Sequence, residues 1–494
     1  MLFNSYQFLI FLPIVLLIYY FFPRKIKYIW LLITSYYFYM CWNPEYSLLL
    51  LASTVVTYLG GLSIEKEISI KWKKIILAIV LIANFGILFV FKYGNFAIHI
   101  VERLIHALGF TIKPVTLDIL LPVGISFYIF QAIGYLIDVY RGKIKAEHNL
   151  AKYALFVSFF PQLVAGPIER SGHLLSQIEE LGEKRLWSYE KILKGFVLAT
   201  WGFFLKVVIA DRISPLVDAV FETYTEHKLV VLCIGAVAFS IQIYCDFIGY
   251  SAIAIGVSKM MGIELMENFD APYFSMSIKE FWNRWHISLS SWFRDYLYIP
   301  LGGNRCSKWK NYRNLLITFL LSGLWHGAAF HYVAWGMIHG IYLVLEKMFA
   351  GIGEKCVKLF NVNTKCASWR LFRYSTTFGL VTVAWIFFRA ESIHDAIAYI
   401  WQMHYVAGAY SDLQSFLNEF FVIAKDKLII VISLQLLLIV DILRKITKLT
   451  VDEFWYEQNY VFKMLSLILL LFLIILWGAY GGGYDAAQFI YFQF

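Results

Sequence analysis

Two histidines carry the chemistry this sequence offers. His326 sits in Leu321-Ser-Gly-Leu-Trp-His-Gly-Ala-Ala-Phe330, an otherwise apolar run. An ionisable side chain at such depth is expensive to bury and marks a functional position. A neutral imidazole is also the side chain best suited to accept a hydroxyl proton near neutral pH. The competing reading is a packing histidine hydrogen-bonded to a carbonyl. His286 lies in Phe281-Trp-Asn-Arg-Trp-His-Ile-Ser-Leu-Ser-Ser-Trp292, an amphipathic, aromatic tract that by itself reads better as an interfacial anchor. Neither belongs to a His-x-x-x-His or Glu-x-x-His spacing, so no metal site is expected. His331 and His339 are weaker candidates, one near a helix junction and one on a helix face without a flanking polar tract.

Other polar groups surround them in the sequence. Asp246, inside Tyr244-Cys-Asp-Phe-Ile-Gly-Tyr250, needs a cationic partner if buried, and Arg284, Arg294 and Lys259 are the candidates. Asp138 and Arg141 read as a helix-end pair. Gly302-Gly303-Asn304-Arg305 is either a tight turn or a backbone cradle for a phosphate; it lacks the spacing of a nucleotide loop. With Arg294, Lys308, Lys310 and Arg313 it forms a basic patch that suits an anionic nucleotide donor or anionic lipid heads equally well.

The elements that must hold these residues are membrane helices. Of 494 residues, 60% are hydrophobic and only 16% charged, with a mean hydropathy of +0.65. Apolar runs such as Tyr6–Phe22, Ile75–Val90, Leu117–Ile137, Lys191–Ile209, Leu229–Ile243, Leu315–Phe330 and Leu465–Trp477 approach the roughly 18–20 residues that span a bilayer. A soluble core is excluded on those lengths. The net charge of +9 falls mainly in short loops and fits cytoplasmic loop lysines and arginines, not a nucleic-acid partner. The six cysteines show no CxxC pair and suggest neither a disulfide framework nor a zinc site. Met1–Tyr20 lacks a basic n-region and an Ala-x-Ala site, so no cleaved signal peptide is expected.

Loop charge sets an expected topology. Arg24, Lys25 and Lys27 place the end of the first span inside and the N-terminus outside. Phe96–Thr111 reads as an interfacial amphipathic stretch. Tyr153–Ile168, interrupted by Pro161, Gly166 and Pro167, reads as a re-entrant or broken helix. Asn268–Arg313, rich in Trp, Tyr and Arg, suits the inner interface. The expectation is one all-α polytopic membrane domain over 1–494 with about 11–13 membrane segments, re-entrant ones included. The tail Gly481–Phe494 would lie outside. Gln488-Phe-Ile-Tyr-Phe-Gln-Phe494 reads as an aromatic anchor.

Together these motifs resemble the membrane-bound O-acyltransferase superfamily, closest to the bacterial branch of alginate, peptidoglycan and cellulose O-acetylation membrane subunits. The resemblance rests on Tyr244–Gly256, Glu267-Asn-Phe-Asp-Ala-Pro-Tyr273, Phe281–Asn304, Gly323-Leu-Trp-His-Gly327, Phe3–Phe11 and Ala165-Gly-Pro-Ile-Glu-Arg170. Ile248 and Ala252 depart from it, standing where a serine and an aspartate are expected. The resemblance implies a helical bundle pierced by a central tunnel, in the bacterial cytoplasmic (inner) membrane. It implies acetyl-CoA as a cytoplasmic acyl donor, with no bound cofactor. His326 would be the catalytic histidine and His286 the second of the pair. Asp246, Arg284, Ser288, Ser290, Arg294, Asn304, Arg305 and Trp325 would bind the donor or support the site. The tail is similar to the C-terminal motif of the small partner peptide in D-alanylation, which makes Tyr491 a candidate acyl acceptor. Implied partners are an extracytoplasmic SGNH (esterase-like) acetyltransferase, a polysaccharide acceptor and membrane lipid, with no nucleic acid. D-alanyl transfer to teichoic acid is the alternative activity. A transporter without covalent chemistry is the alternative class, and it would predict inverted repeats, which the sequence does not show.

Overall fold

The computed structural model describes residues 1–480 apart from 112, 114, 165, 183–186 and 421–423; side chains of 424–426 are also outside it. Tyr491 and the rest of the 481–494 tail therefore lie outside the described residues. Among the described residues the chain is helical, without strands. That is the all-α membrane fold the composition predicts. Among the described residues, seven helices are long and apolar enough to cross a membrane, and Tyr6–Phe21 and Ile125–Tyr140 are shorter apolar helices.

The chain divides into two compact units. The first comprises Met1–Ala199 with Ile253–Met266. It holds α1 (Tyr6–Phe21), α2 (Lys27–Met40), α3 (Pro44–Lys66), α4 (Ile70–Leu88), α5 (Gly94–Ala107), α6 (Ile125–Tyr140), α7 (Leu150–Ser158), α8 (Phe160–Leu163) and α9 (Ser171–Glu180). Local chemistry fixes many of the ends. Asn43 caps α3 by accepting from Glu45 N at 2.8 Å, with Pro44 in the first turn, where a missing N–H is harmless. Phe96–Thr111 does not begin a helix of its own. Its helix, α5, continues α4 through a wide turn at Phe89–Tyr93, so Ile70–Ala107 runs on as one element. Tyr153–Ile168 is broken at Phe159, between α7 and α8, as its prolines and glycine predict. The carbonyl of Phe156, at the break, accepts from the side-chain amides of Gln131 and Gln162, and Phe160 N donates to Ser35 Oγ at 3.1 Å. Freed backbone groups are thus satisfied by protein, which a break at membrane depth requires. Asp138 meets Lys143 at 3.4 Å, just past the end of α6.

The second unit comprises Thr200–Ala252 and Glu267–Phe494. The chain enters it near the end of α10 (Tyr189–Phe203), leaves it within α12 (Leu229–Met260) after Ala252, and re-enters it at Glu267, beyond the end of that helix. Between them a π-helical stretch, Phe204–Ala210, leads into α11 (Asp211–Glu222). Then follow α13 (Ile278–Arg284), α14 (Ile287–Phe293), α15 (Lys308–His326), α16 (Phe330–Leu359), α17 (Ala367–Arg389), α18 (Ile393–Gln402), α19 (Ala409–Phe420), α20 (Ala424–Thr447), α21 (Val451–Glu457) and α22 (Tyr460–Trp477). The pair α15–α16 is the tightest contact. A Cβ on Gly323 would sit 2.3 Å from Tyr332 O, and one on Gly336 2.2 Å from Phe319 O. In lipid, where burying apolar surface drives helix association little, such small residues let two backbones approach. Gly323 lies in the last turn of α15, and His326 is its last residue.

Candidate active site

His326 and His286 reach one place from different elements. His326 ends α15, followed by Gly327 in extended conformation (φ −158°). His286 lies between α13 and α14 with φ +45° and ψ 53°, the left-handed region that disfavours a residue with a Cβ by about 1–3 kcal/mol. Asn268 braces that backbone. Its carbonyl accepts from Ile287 N at 2.9 Å, and its side-chain oxygen accepts from Ser288 Oγ at 2.6 Å. Its amide donates to Ser251 Oγ at 3.2 Å. A strained backbone held by hydrogen bonds on the following residues is a feature that clusters at active sites.

The two imidazole rings stand 6.4 Å apart, centroid to centroid, inclined by 59°. That is too far for a direct hydrogen bond of about 3 Å and near enough for both rings to face one small group. His286 is fully buried and His326 is 4% exposed. Aromatic edges wall them in. Trp325 lies 4.9 Å from His326 and 6.0 Å from His286; Trp335 and Phe388 lie 5.0 and 5.5 Å from His326; Phe247 lies 4.7 Å from His286. Burial pushes the His286 imidazole down to about 3, so it is neutral near pH 7 and presents one N–H and one lone pair. His339 and His331, the weaker candidates, have structural partners: Trp282 Nε1 donates to His339 Nδ1 at 3.2 Å, and His331 Nδ1 lies 3.2 Å from Phe387 O.

A cavity of 1160 Å³ opens beside the pair, within the second unit. Its wall includes Ile287, the residue after His286, and Ser322, one turn before His326. Ser290, Arg294 and Asn304 also line it, as does Trp369. It carries five cations, Lys279, Arg294, Lys347, Lys358 and Arg373, against two carboxylates, Glu346 and Glu354. Such an excess of positive charge in a concave site favours an anionic ligand.

The other sequence candidates divide. Ser288 is buried on Asn268, and Ser290 donates to Trp285 O at 3.2 Å. Arg294 keeps an exposed guanidinium beside Asp295 at 2.9 Å. The Gly302–Gly303 pair forms a tight turn, with φ +108° and +52°, that only glycine adopts easily. Asn311 Nδ2 donates to Gly303 O at 2.8 Å and Asn314 Nδ2 to Leu301 O at 3.0 Å, fastening this turn to α15. Arg305 is exposed and is not among the residues lining the cavity. Arg284 is bound to Asp270 at 2.9 Å and Glu280 at 3.0 Å.

Asp246 pairs with none of the three cations expected for it. Its oxygen lies 2.7 Å from Lys206 Nζ, which also lies 2.8 Å from Asp211. All three side chains are buried. Lys206 stands in the π-helical stretch, a distortion frequent at functional sites. The sequence did carry the signal: Lys206 interrupts the apolar run Gly202-Phe-Phe-Leu-Lys-Val-Val-Ile209, and an ionisable group there calls for a partner. Phe247, next to Asp246, is the ring against His286, so the triad underlies the site through α12.

Two buried histidines close to a cation-rich cavity, in a chain with several helices long and apolar enough to cross a membrane, suit a membrane enzyme. The sequence pattern of the membrane-bound O-acyltransferase family matches residues 144–388. The chain is 42% identical over 403 residues to a probable alginate O-acetylase of Pseudomonas syringae pv. tomato, covering 80% of this chain and 74% of that protein. It is 35% identical over 393 residues to a peptidoglycan O-acetyltransferase of Helicobacter pylori, covering 75% and 72%. Similarity to a teichoic acid D-alanyltransferase of Bacillus subtilis is 31% over 242 residues, 47% of this chain and 60% of that one. The chain belongs to the membrane-bound O-acyltransferase family, in its bacterial O-acetylation branch, and is an acyltransferase.

Proposed function

We propose that the protein moves acetyl groups from cytoplasmic acetyl-CoA across the bacterial inner membrane for O-acetylation of an extracytoplasmic polysaccharide. The observation that carries this reading is the buried His286–His326 pair beside a cavity with an excess of cations. The phosphates of CoA suit those cations, and the cavity is somewhat larger than the usual range for small-molecule sites, as a ligand of CoA's size needs. Relatives named for alginate and peptidoglycan O-acetylation support the acetyl group and the polymer class; D-alanyl transfer has the support of a relative matching less than half of this chain.

A thioester is already activated, so the site needs a base and a dry, shaped channel more than a strong electrophile. His326 takes the proton of the acceptor hydroxyl as its oxygen attacks the thioester carbonyl. A tetrahedral oxyanion forms, and the neutral His286 donates an N–H to it. The C–S bond then breaks, CoA leaves as thiolate, and the proton held by His326 returns to that sulfur. Acetyl ester and CoA thiol are the products. Ser288, through Asn268, keeps His286 in place, while Ser290, Arg294 and Asn304 face the donor. Asp246 supports the site from α12.

The acceptor we favour is Tyr491, in a C-terminal tail facing outward like the N-terminus. It passes the acetyl group to an esterase-like extracytoplasmic protein that acetylates the polymer. A Tyr491→Phe variant is expected to insert normally and to abolish polymer O-acetylation; full acetylation would remove the tyrosine from the path. For the donor, Lys358→Glu is expected to raise the KM for acetyl-CoA about threefold or more at low salt while kcat holds, because a reversed charge acts through only partly screened solvent. An unchanged KM at every ionic strength would place the donor elsewhere.

A further inference from the structure

His286 is held by more than its neighbours. The strap Glu267-Asn-Phe-Asp270 runs beside Arg284–Ser288 and brackets the histidine. Behind it, Asp270 N donates to Arg284 O at 3.0 Å, and Arg284 Nη1 returns bonds to the carbonyl and carboxylate of Asp270 at 3.0 and 2.9 Å. Ahead of it, Asn268 takes Ile287 N and Ser288 Oγ. The strap itself is gripped from α20. Arg444 donates to the carboxylate of Glu267 and to Phe269 O at 2.7 Å, and lies 3.4 Å from Asp270 Oδ1. One turn earlier, Asp441 accepts from Tyr244 OH at 3.0 Å, and the Tyr244 ring packs on Phe269 and Trp285, the residue before His286. Lys445 donates to Phe274 O at 3.0 Å.

We infer that Arg444 is a positioning residue for the reaction: through the Glu267–Asp270 strap, the inner end of α20 sets the backbone of His286 and hence its separation from His326. This rests on the role proposed above for His286. The physical case is that a left-handed histidine does not persist unless its surroundings over-determine it. Arg444 supplies a planar fork to three acceptors on the strap, which a lysine, as a point charge, does not reproduce. A shift of the order of 1 Å at a catalytic group is enough to cost about a hundredfold in rate.

The test is turnover, read as CoA release by purified protein in vesicles, for Arg444→Gln, Arg444→Lys and the milder Glu267→Gln, each made in wild-type and His286→Ala backgrounds. In the wild-type background Arg444→Gln is expected to lower kcat about 10- to 100-fold, with donor KM within about twofold, since the cavity wall is untouched. Arg444→Lys should lie between, and Glu267→Gln should lower kcat about threefold to tenfold. In the His286→Ala background, none should cost more than about twofold further, because there is no longer an imidazole to misplace. Equal losses in both backgrounds would mean a general structural role, and unchanged kcat for both Arg444→Gln and Glu267→Gln would mean no role; either overturns the inference while leaving the His286 mechanism standing. Full turnover in His286→Ala alone would instead overturn the mechanism, and the inference with it.

Discussion

Replacing His326 with alanine is expected to lower acyl transfer by about 10²–10⁴-fold, the share a positioned general base contributes. The measurement is polymer O-acetyl content in cells together with CoA release from purified protein, with thermal melting in detergent to show that the variant still folds. The ring sits edge-on to Trp325, Trp335 and Phe388, so alanine leaves a gap in an aromatic box without exposing a charge. Loss of transfer with a melting curve near wild type is therefore the predicted pattern. His326→Gln, which keeps hydrogen-bonding capacity but accepts no proton near neutral pH, should be equally inactive. Retention of more than about a tenth of wild-type transfer by either variant would remove the base from this position.

Lys206→Met is expected to act on the fold first. It leaves Asp211 and Asp246 facing one another in a site where the three side chains are 1–7% exposed. Breaking a buried ion pair by removing one partner costs about 3–5 kcal/mol, because the remaining charge is stranded. The variant should melt far below wild type and lose folded yield. Adding Asp211→Asn and Asp246→Asn should restore most of the loss, since it removes the stranded charges along with the cation. Lys206→Met melting like wild type would show that this triad is not held together as a unit.

The two effects separate what is chemically required from what is structurally required, and the sequence carried them unequally. His326 was legible because one imidazole stood in an apolar run, a cost that a stretch of ten residues already displays. Lys206 was equally legible by the same rule but was absorbed into the span around it. The histidine pair was not derivable from position: by itself the tract around His286 reads as an interfacial anchor, and only the motif resemblance brought it to the site.

Local order in the sequence determined the helical membrane class, an interruption within Tyr153–Ile168 and the aromatic, span-free segment before α15, while it left Gly302–Gly303 open between a tight turn and a phosphate cradle. Each depends on neighbours within a few turns: apolar length, proline, glycine and capping side chains. The tertiary structure alone decided the partners. Asp246 met Lys206 and not Arg284, Arg294 or Lys259, and Arg284 was spent on Asp270 and Glu280. It also decided that His286, strained at φ +45°, faces His326 across 6.4 Å. The reason is that a buried charge or a strained backbone is satisfied by whichever groups packing brings near, and the packing here turns on close approaches such as Gly323 and Gly336 between helices, which no linear spacing encodes.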